Sequence, residues 1–115
     1  MATVNPSVDI DIAKGARRTS WTITGTDDGF PLSAPQYPTK SVIVQGTFGG
    51  GTILIEGSSD GGVTYHTLHD PQGNDLSFTA ARAEEIEEVV QLIRPRASVG
   101  VTSCVIIIVS QSGRN

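Results

Sequence analysis

Two histidines and an aspartate, His66, His69 and Asp70, stand close enough in the chain to raise the question of a metal site. Imidazole nitrogen and carboxylate oxygen are common ligands of zinc and related ions. On a strand, however, positions 66 and 69 differ by an odd number and point to opposite faces. The group therefore reads as a solvated strand end. Asp9 and Asp11 share one strand face, and two carboxylates can hold Ca²⁺. No third ligand is evident near them, and the stretch TDDG at 26–29 lacks the spaced acids of a calcium loop. Glu84, Glu85, Glu87 and Glu88 form the strongest charge cluster. Glycosidases use carboxylate pairs, but across a cleft instead of side by side in sequence. These four are expected on a solvated face or against Arg82, Arg94 or Arg96. Cys104 lies inside an apolar strand with no evident base, which predicts a core thiol. The sequence has no G-x-S-x-G, HExxH or CxxC, the patterns of common hydrolase, zinc-protease and redox sites. The expectation is that the chain is not an enzyme and has no metal or cofactor.

The glycines need the same scrutiny. Gly49, Gly50 and Gly51 precede Thr52 and Ile53, whereas a phosphate loop places Lys and then Ser or Thr after its last glycine. Glycines recur about every ten residues, the spacing of turns in a sandwich or barrel. They read as corners: 49–51 as a three-residue hairpin loop, 60–62 as the next turn, and PQGND at 71–75 as another.

Those turns separate strand-like runs at 17–25, 41–48, 52–59, 63–70 and 101–110. The loop at 26–39 holds three prolines and admits at most a short edge strand. Residues 75–98 are ambiguous. Ala and Glu favour one or two helical turns around 80–86, and Pro95 favours an extended run from about 88 to 97. The expected organisation is an extended N-terminal arm at 1–16, a β-sandwich domain at 17–110 and a polar tail at 111–115. The fold class is all-β with one short helical turn.

Composition narrows the partners. The 115 residues carry a formal net charge of −4, and an acidic domain repels phosphate backbones, so no nucleic-acid partner is expected. A single cysteine rules out a disulfide scaffold within the chain. No apolar run approaches the length of a membrane helix, so no membrane partner is expected. The N-terminus lacks the pattern of a signal peptide, which predicts synthesis in a cytosol.

One feature exceeds a plain β domain. The runs SVIV, TILI and CVIIIV are apolar on both faces, where a strand with one wet face alternates. The odd series Val105, Ile107 and Val109 is the longer and is expected in the core. Ile106 and Ile108 are then expected to face a partner or a covering loop, because a free patch of that size is unusual. Val8, Ile10 and Ile12 of the arm complete the candidate interface.

The stretches SVIVQGTFGGGTILIEGSSDGG, YHTLHDPQGNDLSFTAA and EEVVQLIRPR, within about 41–96, resemble small β proteins from the structural gene modules of tailed bacteriophages. The resemblance implies a virion protein, in particular a head decoration (cement) protein with a jelly-roll-like β sandwich. It implies a trimer at junctions between capsid subunits, with the major capsid protein as partner and the capsid surface as location. Two further readings stand beside it: another virion subunit of neck, tail or head fibre, and a carbohydrate-binding module using Trp21, Tyr37 and Tyr65.

Overall fold

The computed structural model describes residues 2–13, 16–33 and 39–111, with the side chains of 9–13 left aside. Among these residues there are strands and no helix. In chain order they are β1 (Thr3–Val4), β2 (Ser7–Ala13), β3 (Ala16–Gly25), β4 (Asp28–Gly29), β5 (Leu32–Ser33) and β6 (Thr39–Thr47). There follow β7 (Thr52–Ser58), β8 (His66–Thr67), β9 (Ser77–Phe78), β10 (Arg82–Ile86), β11 (Leu92–Val99) and β12 (Val101–Gln111).

Two sheets form. The five-stranded sheet runs β10-β6-β12-β3-β2. The seven-stranded sheet runs β1-β4-β11-β7-β8, with β5 added on β11 and β9 on β7. The chain is thus an all-β, jelly-roll-like sandwich. Its core is set by period-2 alternation. Trp21, Ile23, Val42, Val44, Ile106 and Ile108 enter from the first sheet; Ile53, Ile55, Ile93 and Ala97 enter from the second. Leu68, Leu76 and Phe78 fill the space from the irregular stretch between β7 and β10.

The run at 49–51 is not a hairpin loop. β6 pairs with β10 and β12, whereas β7 pairs with β8, β9 and β11. The glycines turn the corner by which the chain leaves one sheet for the other. Turn chemistry is as expected: Gly51 N–H donates to the Phe48 carbonyl at 2.9 Å, and Gly49 and Gly50 have φ of 59° and 83°. The chain crosses back at Gly100, between β11 and β12, and the two corners pack together. A Cβ on Gly51 would overlap the Gly100 carbonyl. A hairpin and a sheet-crossing corner use the same residues, so sequence does not separate them.

The helical turn expected at 80–86 is strand β10. Its five residues pair with β6 from Arg82 opposite Val44 to Ile86 opposite Lys40. Helix propensity differs by only a few tenths of a kcal/mol per residue, while burying Ile86 contributes about 1.5–3 kcal/mol. Pairing and burial therefore decide. The strand expected over 63–70 shortens to β8, because Asp60 holds residues 63 and 64 in a loop: its Oδ1 accepts from Val63 N–H at 3.2 Å and Thr64 N–H at 2.9 Å. Within the expected arm, residues 7–13 form β2, which pairs with β3 at the edge of the five-stranded sheet. Of the expected tail, residues 112–115 lie outside the described residues.

Candidate functional site

β12 runs between β6 and β3 in the five-stranded sheet. On its inner face Ile106 lies opposite Val44 and Trp21, and Ile108 opposite Val42 and Thr19. Both isoleucines are fully buried in the core. The expectation that they face a partner is therefore corrected, and the reason is a bulge. Register shifts between Val101 and Cys104, and both of those residues point inward. Val101 thus joins the core from odd parity, and after Thr102 and Ser103 the even residues take over. Counting the odd series as continuous from Val101 gave it the core wrongly.

The outer face belongs to Val105, Ile107 and Val109, each half-buried by neighbours in its own sheet. Ile43, opposite Ile107, is 42% exposed. Around this stripe stand uncharged polar side chains: Ser20 and Thr22 on β3, Ser41 and the longer Gln45 on β6. The result is an aliphatic stripe in a Ser/Thr surround, with Glu85 on β10 and Arg18 on β3 at its flanks. Val8, in edge strand β2, is 44% exposed. The side chains of Ile10 and Ile12 lie outside the described residues.

The residues singled out for chemistry do not converge. Cys104 is buried, its Sγ donating to the Thr47 carbonyl at 3.6 Å, and burial pushes the thiol pKa up. Asp70 caps its own loop, accepting from Gln72 N–H at 3.0 Å and Asn74 N–H at 2.9 Å through Oδ1. These bonds, that from Asn74 foremost, hold its carboxyl below the usual range. His66 borders a shallow depression of about 290 Å³ with Ser59, Asp60 and Thr64. Asp60 there has its pKa lowered to about 2, first by the Thr64 N–H and then by the Ser58 hydroxyl. Its engaged oxygen organises the loop.

His69 has a different role. Its Nδ1 lies 2.6 Å from Glu88 Oε2 and its Nε2 lies 3.1 Å from Asp75 Oδ1. A carboxylate accepts, so the two contacts together favour the imidazolium, in which both ring nitrogens donate. The Glu88 contact accordingly raises the His69 pKa. Of the glutamate cluster, Glu84 pairs with Arg82 at 3.0 Å, Glu88 with His69, and Glu85 and Glu87 are exposed. Lys40 is buried beside this region; burial pushes its ammonium pKa down and Glu88 works against that. Among the described residues no three His, Cys, Asp or Glu side chains are placed to hold a metal ion.

An ion cluster that sequence reading missed lies on the outer face of the seven-stranded sheet. Glu56, nearly buried, accepts from Arg94 Nε at 3.1 Å and Arg96 Nε at 2.9 Å. Arg94 also reaches Asp28 at 3.4 Å and lies 3.8 Å from the Tyr65 ring centre. The alternation Ile93-Arg94-Pro95-Arg96 put both guanidiniums on one face. Nothing local indicated that β7 would bring Glu56 between them.

No family model matches the sequence, and no curated protein matches it. Solved structures share the fold. The SPBc2 prophage-derived protein YomS aligns with a TM-score of 0.63 and 10% identity, over 89% of this chain and 98% of that one. A cupin domain from Bordetella pertussis Tohama I aligns with a TM-score of 0.55 and 15% identity, over 96% of this chain and 94% of that one. Oxalate oxidase aligns with a TM-score of 0.51 and 17% identity over 85% of this chain, which spans only 42% of the oxidase chain. The expectation that the chain is not an enzyme does not stand, because an enzyme shares this fold. Missing hydrolase and zinc-protease motifs do not bear on catalysis by a sandwich of this kind. At these identities the likeness is one of fold: the chain is an all-β sandwich of the jelly-roll type, shared by cupin domains and a prophage-derived protein.

Proposed function

We propose that this chain is a structural protein of a tailed-bacteriophage virion, a capsid decoration (cement) protein that bridges capsid subunits and stabilises the head. The observation that carries the reading is the open face of the five-stranded sheet, where Ile43, Val105, Ile107 and Val109 form an aliphatic stripe on a domain whose core is already closed. Such a stripe gains by being covered, at about 25 cal/mol per Å² before association costs. The sequence resemblance to phage structural proteins and the shared fold of a prophage-derived protein support it. The partner is then the major capsid protein, and the chain is a homo-oligomer, grouped as a trimer on the capsid. It is made in the host cytoplasm and ends on the capsid surface. Residues 1–16, with β2 at the sheet edge, are the segment proposed to reach a neighbouring subunit.

A carbohydrate-binding module is the weaker reading. Trp21 is buried, with its indole N–H donating to the Phe30 carbonyl at 3.0 Å, and the Tyr65 ring is covered by Arg94. Tyr37 lies outside the described residues. Heads assembled without the protein should form but release DNA at lower temperature than decorated heads. Equal heat resistance would count against cementing. Cryo-electron microscopy then separates a decoration from a neck, tail or fibre subunit, by a copy number that follows the capsid lattice instead of a single vertex.

A further inference from the structure

The open face of the five-stranded sheet matches itself. β12 and β6 put Ile107 directly opposite Ile43, and Val109 opposite Ser41. The Val109 row continues to Arg18 on β3 in one direction and, through Ser41, to Glu85 on β10 in the other. Strand order makes β10 and β3 equally distant from the line midway between β6 and β12. Consider a two-fold axis along that line, parallel to the strands. It seats Ile43 on Ile107 of a second copy and Ile107 on that copy's Ile43. It also sets Glu85 against Arg18 and Arg18 against Glu85, and Ala83 against Ser20.

We propose that this face binds a second copy of the same chain, sheet on sheet, through the reciprocal contacts Ile43–Ile107 and Glu85–Arg18. The contact is isologous, as a two-fold interface must be. Aligned packing of two sheets about 10 Å apart accommodates it. The axis overlays four strands, β10, β6, β12 and β3, and leaves β2 without a counterpart. At about 4.8 Å apart and about seven residues each, they give a flat footprint on the order of 450 Å² per copy, against about 800 Å² per partner in a standard interface. Relief of the side chains adds to the flat figure. Arg18 also has a contact within its own chain, so the ion pair across the axis adds to that contact. The row ends on β2 at Asp9, opposite Arg18. Glu85 and Arg18 stand in that row at equal distances from the Ile43–Ile107 midline, which is the arrangement a two-fold contact uses. The inference rests on the same face as the decoration reading and concerns the free protein: the pair must separate before Ile43 and Ile107 meet a capsid, and three-fold grouping there falls to other surfaces.

Light scattering after size exclusion at micromolar concentration tests it. The wild-type chain should run at two chain masses. Glu85→Arg and Arg18→Glu should each fall to one chain mass, and an equimolar mixture of the two should recover two. In the mixed pair every contact across the axis joins opposite charges. Ile107→Asp, checked for fold by circular dichroism, should also give one chain mass, and it serves if Arg18→Glu folds poorly. A wild-type mass of one or three chains overturns the proposal, as does an Ile107→Asp variant that still runs as a pair. Binding of the same variants to undecorated heads is measured separately, so failure of the pair and failure of the decoration reading are distinguishable.

Discussion

Ile107 and Ile43 stand opposite each other on the open face of the five-stranded sheet, while their chain neighbours Ile106 and Val44 stand opposite each other in the core. One residue of displacement along β12 thus separates a surface contact from a core contact. Ile106→Asp and Ile108→Asp each place a carboxylate where no partner is available, at a cost of several kcal/mol against a total stability of about 5–15 kcal/mol. Both should give unfolded or insoluble protein. Ile107→Asp should keep the β circular dichroism signal. A folded Ile108→Asp protein would contradict the assigned register.

Glu56 should matter more than its place among surface charges suggests. Glu56→Ala leaves the guanidiniums of Arg94 and Arg96 facing each other without their shared carboxylate. Removing one partner of a buried ion pair costs about 3–5 kcal/mol. Arg94 and Arg96 keep 22% and 34% side-chain exposure, so a loss of about 2–3 kcal/mol is expected here. Urea unfolding should show a lower midpoint with an unchanged slope. A loss below about 0.5 kcal/mol would mark the cluster as ordinary surface pairing.

The His69 clamp predicts a pH window. Hydrogen bonding to Glu88 raises the His69 pKa, with burial opposing. Burial works to raise the Glu88 carboxyl, yet the His69 N–H bonds outweigh it and hold that pKa below its ordinary value. A raised histidine stabilises fully below its unfolded pKa and loses that contribution as pH rises through the folded one. A lowered carboxylate loses its contribution as pH falls through the folded value. The clamp therefore acts from below the ordinary glutamate pKa to above the ordinary histidine pKa. Melting temperature followed from about pH 5 to about pH 9 should fall more in wild type than in His69→Asn. Parallel curves would show that the clamp contributes nothing.

The two packed corners make Gly51 and Gly50 unequal. At Gly50 nothing lies within 4 Å of an added Cβ, and only its φ of 83° opposes alanine. Gly50→Ala should cost about 1–2 kcal/mol. Gly51→Ala meets the Gly100 backbone, which cannot turn aside like a side chain. Its cost should exceed that of Gly50→Ala by at least about 1 kcal/mol. Thermal melts of the two variants decide the order, and equal shifts would mean that the corners slide apart freely.

The all-β class, most strand positions and the turn glycines were legible in the sequence because period-2 alternation and turn chemistry are local. Gly61, Gly62 and Gly73 take the positive φ values that a turn reading implies. Besides strand β10, which reads locally as a helical turn, three things were not legible. The corner at 49–51 needed knowledge of which sheet each flanking strand joins. The parity of β12 needed the bulge before Cys104, which two exposed residues, Thr102 and Ser103, mark only faintly. The Glu56 cluster needed two strands from distant parts of the chain to be neighbours. Each depends on topology, and topology follows from pairings that no window of ten residues contains.

The place of β12 also bears on how the chain folds. β3 and β6 are made early, yet each waits for β12 to cover its inward edge. Until residues 101–111 have left the ribosome, both strands present unpaired hydrogen-bonding groups and the apolar side chains of the future core. Pairings this remote in sequence are slow to form, and open edges invite association in the meantime. Translation pauses before residue 101, or chains cut there, should therefore yield aggregates rather than a partly built sandwich.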